Sequence, residues 1–164
     1  MGEVIPRVIL RLARPDDLPR IADLSRDVLE FGRPRRWSAR RLAVQLGQSD
    51  TCCVVAQRAT TVAGFVLFGL GERNAFVSLL AVAPLFQGRG IGRSLLRWAE
   101  TSAATAGMSL MALEVRAENA AAIMFYRRLG YVARGIVPNY YGAACQALKM
   151  IRVLNATAVS DDLY

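Results

Sequence analysis

Gln87-Gly88-Arg89-Gly90-Ile91-Gly92 is the stretch on which the fold turns. It follows an apolar run over residues 75–82 that reads as a strand, with Ala83-Pro84-Leu85-Phe86 as the bridge. It opens a segment in which Ile91, Leu95, Trp98 and Ala99 share one helical face, and Gly107 closes that helix. A strand, a glycine-rich turn and a helix start together aim several free backbone N–H groups at one point, where the helix dipole also favours negative charge. Gly88, Gly90 and Gly92 stand at alternate positions, so the main chain can approach a ligand with no Cβ in the way. The stretch is a candidate phosphate cradle; the plainer alternative is a set of helix-packing glycines. It is not a G-x-x-x-x-G-K-[ST] loop, because no lysine follows, and not G-x-G-x-x-G, because position 93 is arginine.

Working outward, residues 8–12 alternate as a short strand, and Arg14-Pro15-Asp16-Asp17 reads as a turn with an aspartate N-cap. That turn feeds a helix through Ile21, Leu24 and Val28. A second helix starts at Ser38, runs through Leu42 and Leu46 and stops at Gly47, after a basic loop over residues 32–37. Residues 51–57 and 62–69 are β-branched, apolar runs joined by Arg58-Ala59-Thr60-Thr61, which predicts an antiparallel pair. Downstream come a strand over 108–115, a helix over 119–129 closed by Gly130, and strands over 131–136 and 147–154. The order β-α-α-β-β-β-α-β-α-β-β makes the chain a mixed α/β (α+β) protein, with antiparallel pairing early and a parallel crossover through the glycine-rich helix. The 164 residues suit a single domain, with its core at 8–154 and a tail at 155–164.

Composition excludes much of the rest. The chain has no histidine, which removes Ser/His/Asp triads, Cys/His pairs and His-ligated zinc. Acid–base work falls to Glu, Asp, Tyr or Cys. Cys52, Cys53 and Cys145 match neither a metal-site spacing nor a disulfide framework and read as buried strand cysteines, so no metal is expected. No apolar stretch approaches the roughly 18 residues of a spanning helix, and residues 1–14 lack a signal-peptide core, so the chain reads as cytoplasmic, without a membrane partner. The net charge of +8 rests on arginine, with Lys149 the sole lysine, and suggests an anionic partner. Residues 31–49 hold five arginines and no acid; residues 119–160 hold four arginines and Lys149, again with no acid. Nucleic acid is the weakest candidate, because no reading motif appears and aromatics are not interleaved with the arginines. Nothing in the sequence signals an oligomeric state.

The segment Gln87 to Gly92 resembles the Q/R-x-x-G-x-G/A loop of the GNAT acetyltransferases, which wraps the pyrophosphate of acetyl-coenzyme A. Downstream, Leu113-Glu114-Val115-Arg116-Ala117-Glu118-Asn119 through Leu129-Gly130-Tyr131 resembles the L-E-V-R-x-x-N-x-x-A-x-x-x-Y-x-x-L-G-[FY] run of RimI-like enzymes, which acetylate protein N-termini. Trp37-Ser38 and Asn139-Tyr140-Tyr141 fall where such sequences carry similar residues, so the resemblance covers residues 8–152. It implies a central, mostly antiparallel mixed sheet of about seven strands flanked by about four helices. It also implies acetyl-coenzyme A as cosubstrate, with Leu80, Ala81 and Val82 along the pantetheine arm and Gln87, Gly88, Arg89, Gly90, Ile91, Gly92 and Arg93 at the pyrophosphate.

Period-two alternation puts Leu110, Ala112 and Glu114 on one strand face, so Glu114 ends an otherwise apolar row. An ion pair with Arg116, on the same face, would explain it; the resemblance instead makes Glu114 the base, acting through water. Asn119 and Tyr126 lie seven apart, two helical turns, along one face. The resemblance gives Asn119 the pantetheine or the following helix turn, and Tyr126 the proton for the departing thiolate. A packed aromatic is the alternative for Tyr126. An α-amine of pKa about 7.7–8.0 is roughly a tenth neutral at pH 7, and lysine far less, which favours a protein N-terminus as acceptor without excluding a buried lysine; a ribosomal protein is one candidate partner. A small amine or antibiotic, or a non-catalytic coenzyme A sensor, are the rival readings. The chain departs from the family pattern at Ala83, where aspartate is common, and at residues 142–146, which lack the acids expected before the last strand. Both departures bear on peptide preference.

Overall fold

The computed structural model describes residues 7–29, 37–138 and 145–154. The basic loop before Trp37, Asn139-Tyr140-Tyr141, the acid-free stretch up to Ala144 and the tail lie outside them. The described residues form β1 (Val8–Leu12), α1 (Leu18–Leu24), α2 (Ala39–Leu46), β2 (Thr51–Arg58), β3 (Thr61–Leu70), β4 (Asn74–Val82), α3 (Ile91–Thr105), β5 (Leu110–Arg116), α4 (Ala120–Arg128), β6 (Val132–Val137) and β7 (Ala147–Val153). One seven-stranded sheet runs β1-β2-β3-β4-β5-β7-β6. Its pairs are antiparallel except β4 with β5, which α3 connects as a crossover. The expected mixed fold and element order hold.

Strands β2 and β3 are buried on both faces, which is why they read as continuous apolar runs. Val54, Val66, Phe68, Met111, Leu113 and Met150 pack with Leu95, Leu96 and Ala99 of α3 on one face. Cys53, Val55, Phe65 and Leu67 pack with Ile21, Leu24 and Leu42 from α1 and α2 on the other. Adjacent Cys52 and Cys53 therefore point to opposite faces. Burial pushes the Cys53 thiol up to about 12, so it is inert. Of the three cysteines expected to be buried on strands only Cys53 is: Cys52 lies on β2 but is half-buried, and Cys145 precedes β7 and is half-buried.

The first helix differs from expectation. Apolar spacing predicts one helix through Val28, whereas the chain makes a 3-10 turn over Pro15–Asp17, then α1, then a π turn over Ser25–Leu29. Periodicity of 3.6 cannot distinguish a π turn, because it only widens the same face. The aspartate also acts differently. Asp17 is the last residue of the turn and reaches back, its carboxylate accepting from the Arg14 N–H at 2.7 Å and from both Arg11 terminal nitrogens at 2.7 and 2.9 Å. The Arg11 guanidinium holds its carboxyl below the usual carboxylate range. Ser38 does cap α2, its hydroxyl accepting from the Arg41 N–H at 3.2 Å.

Candidate active site

The parallel pair β4 and β5 stays together only from Asn74 opposite Leu110 to Val77 opposite Leu113. Beyond it, β4 remains with β3 through Val82, and β5 remains with β7 through Arg116, so the sheet splits into a fork. A bulge starts the split: Leu67 faces Leu79 and Phe68 faces Val77, leaving Ser78 as the extra residue. Bulges bend the strand that carries them and increase its twist. The backbone edges facing into the fork have no strand partner, and buried amides and carbonyls need one. Leu80, Ala81 and Val82 form the β4 bank, and Glu114 is the first β5 residue past the last pair. Gly64, behind that bank, was not singled out from sequence. A Cβ there would stand 2.8 Å from the Ala81 carbonyl oxygen, so only glycine lets β3 support the bank without displacing it. A glycine inside a buried strand run was the available signal.

At the head of the fork Val82 leads through a 3-10 turn, Pro84–Phe86, into the glycine stretch. The Gln87 side-chain amide donates to the Val82 carbonyl at 2.9 Å and fixes the loop to the strand. Gly88 and Gly90 are left-handed, φ +72° and +78°, and a Cβ on either would meet nothing within 4 Å. Their lack of side chains keeps space free beside the backbone. The first intrahelical bond runs from the Ser94 N–H to the Gly90 carbonyl, so the amides of Ile91, Gly92 and Arg93 have no intrahelical acceptor. Gly92 has a second role, because a Cβ there would lie 3.3 Å from the Phe125 ring; it lets α4 approach α3. Arg89 and Arg93 are exposed on either side of the helix start. A groove of about 310 Å³ adjoins the loop, lined by Val8, Leu10, Arg58, Phe86, Arg89, Gly90, Ile91 and Ser94. It flanks the loop on the β1 side and does not include Glu114, Asn119 or Tyr126.

The remaining candidates occupy two faces. Met111, Leu113 and Val115 point toward α3, and Phe125 and Tyr126 pack against that same core. Glu114, one residue out of phase, leaves β5 on the opposite face and is half-buried. Tyr126 packs edge-on to Phe125 at 5.1 Å and to Tyr131 at 5.6 Å. Asn119 is the N-cap of α4, its carboxamide oxygen accepting from the Ala122 N–H at 3.1 Å; of the two expected roles, that is the helix turn. Asn119 and Tyr126 thus stand at opposite ends of α4, about 10 Å apart along its axis. Arg116 does not form the ion pair considered for Glu114. Its guanidinium donates to the Leu29 carbonyl at 2.9 Å, tying the π turn to β5. The register instead sets Lys149 directly opposite Glu114, a pairing invisible without knowing that β7 lies beside β5.

The fork therefore combines unpaired strand edges, a glycine head with free amides, and a carboxylate just past its apex. The space where a Cβ is missing at Gly88 and Gly90, with arginines beside it, fits a diphosphate rather than a neutral group. Among the described residues no group of three or more His, Cys, Asp or Glu gathers, and no helix is long and apolar enough to cross a membrane.

Comparison with known proteins bears on the family and the fold. Residues 18–131 match the profile of the Acetyltransferase (GNAT) family. The chain is 33% identical over 141 residues to an uncharacterized protein of Mycobacterium leprae, covering 84% of this chain and 38% of that one. It is 48% identical over 83 residues to the [ribosomal protein bS18]-alanine N-acetyltransferase of Salmonella typhimurium, covering 51% of this chain and 56% of that one. The chain thus spans well under two thirds of both relatives. The crystal structure of the ribosomal-protein-S18-alanine N-acetyltransferase from Escherichia coli superposes with a TM-score of 0.80 at 26% identity, covering 96% of this chain and 99% of that chain.

Proposed function

The chain belongs to the acetyltransferase (GNAT) family, and on that footing we propose that it transfers the acetyl group of acetyl-coenzyme A to the α-amine at a protein N-terminus. The observation that carries this reading is the fork whose glycine head can hold a diphosphate and whose β5 side starts at Glu114. When bound, the cosubstrate supplies a thioester carbonyl that a neutral amine attacks, with the thiolate as leaving group. Residues Leu80 to Val82 offer backbone partners to the pantetheine arm, and the Gly88 to Arg93 amides hold the diphosphate. Asn119 caps the start of α4. Glu114 accepts the amine proton through water, and Tyr126 donates a proton to the sulfur from the other face of β5.

The division of faces supports a ternary arrangement in which cosubstrate and acceptor reach the fork from opposite sides of the sheet. The names of the Salmonella and Escherichia coli relatives make a ribosomal-protein N-terminus the first acceptor to assay. The direct test is acetyl-coenzyme A turnover with N-terminal peptides, polyamines and aminoglycosides side by side. Peptides are expected to be acetylated with the highest kcat/KM, and turnover confined to the small amines would replace this reading. Tyr126→Phe is expected to lower kcat with coenzyme A affinity nearly unchanged; a large loss of affinity would make Tyr126 a packing residue.

A β-branched residue at the head tests the cradle itself. Gly90→Val forces φ +78° on a side chain that avoids it, at a cost of about 1–2 kcal/mol, and fills the space beside the amides. Coenzyme A binding measured by calorimetry is expected to weaken at least about 10-fold. Unchanged affinity would remove the diphosphate from this loop.

A further inference from the structure

The sole lysine of the chain stands beside the proposed base. Glu114 on β5 and Lys149 on β7 are register partners in an antiparallel pair, so both side chains leave the sheet on the same face. That face is the one turned away from α3 and α4, whose core takes Met111, Leu113, Val115 and Met150. On the other flank of Lys149 the register places Gly135 of β6, where an added Cβ would meet nothing within 4 Å. The ammonium is therefore exposed on open ground between Glu114 and the edge strand, and it joins none of the ion pairs among the described residues. Arg116, the next cation along that face of β5, donates to the Leu29 carbonyl. Residues 119–160 contain no acid that would offset the charge.

An ammonium next to a base repels a cationic acceptor and attracts one that brings a carboxylate. We infer that Lys149 selects acceptors whose first or second residue is aspartate or glutamate. The inference rests on the reading above, in which the acceptor amine reaches Glu114. The scale fits: directly opposed residues have Cβ atoms about 4.5–5.5 Å apart, and an extended peptide advances about 3.3–3.6 Å per residue. A peptide with its amine at Glu114 carries its first or second side chain over Lys149, whose flexible stem can follow it.

The experiment uses two peptide series, one varied at the first residue and one at the second, each with Glu, Gln or Lys there and otherwise identical, with acetyl-coenzyme A and the full chain. In at least one series the wild type is expected to favour Glu over Gln by about 2- to 5-fold in kcat/KM, mostly through KM, as befits an exposed charge pair. Lys149→Met removes the preference, Lys149→Glu turns it toward the Lys peptide, and Lys149→Arg keeps it. A merely structural lysine would change all three peptides alike. Equal kcat/KM for Glu and Gln peptides of both series in the wild type, or a preference that survives in Lys149→Met, overturns the inference while leaving N-terminal acetylation intact. If none of the peptides is acetylated although coenzyme A binds, the acceptor reading itself fails, and the role of Lys149 falls with it.

Discussion

Glu114→Gln is expected to reduce kcat by about 100-fold or more at pH 7, the usual scale for loss of a positioned base, with coenzyme A affinity unchanged. The substitution preserves shape and removes only the ability to accept a proton. No ion pair among the described residues depends on Glu114, since Arg116 is engaged at the Leu29 carbonyl, so stability should stay within about 0.5 kcal/mol. The pH dependence separates a base from a spectator. An α-amine is about a tenth neutral at pH 7 and mostly neutral above pH 9, so the need for the carboxylate falls as pH rises. The ratio of wild-type to variant kcat should shrink between pH 7 and pH 9. A ratio that is flat with pH would mean that Glu114 orders the acceptor rather than taking its proton, and no loss at all would move the base elsewhere.

The loop was readable from sequence because backbone conformation and residue type are tied at Gly88 and Gly90, where φ is positive. The element order was readable because β2 and β3 are apolar on both faces while α3 carries one apolar stripe. What escaped was non-local. Nothing along the chain announces that β7 inserts between β5 and β6, and that insertion alone places Lys149 opposite Glu114. The fork depends on a one-residue bulge at Ser78, which strand periodicity cannot show. Glu114 and Tyr126 could each be singled out by pattern, yet their placement on opposite sides of β5 follows only from which face α4 covers. Gly92 shows the opposite limit: three alternate glycines look equivalent in sequence, but the third is also set by contact with Phe125.

Glu100→Ala is expected to cost about 3 kcal/mol of stability, from one residue with no part in the chemistry. Glu100 is buried on α3 at 7% exposure, and each carboxylate oxygen has a partner. The Tyr131 hydroxyl donates to Oε1 at 2.8 Å and the Arg152 guanidinium to Oε2 at 2.7 Å. The network fastens α3 to the entry of β6 and to β7. Its removal leaves the phenol of Tyr131, 2% exposed, with a donor buried and unmet. Burial, then the Glu100 charge, raises the Tyr131 phenol far above its usual value, so it remains a donor throughout the working range. Because the folded pKa is raised, that contribution is whole below about pH 10 and is lost as pH rises through the folded value. Arg152 is partly exposed and can turn to water, so most of the loss comes from the phenol and the cavity. Urea titration should show a lower midpoint at unchanged slope, and the melting temperature should fall by roughly 6–12 °C. Since the cradle amides belong to the far end of α3, saturating coenzyme A should raise wild type and variant by the same increment. A smaller increment in the variant would show that the network also holds the helix start against the fork.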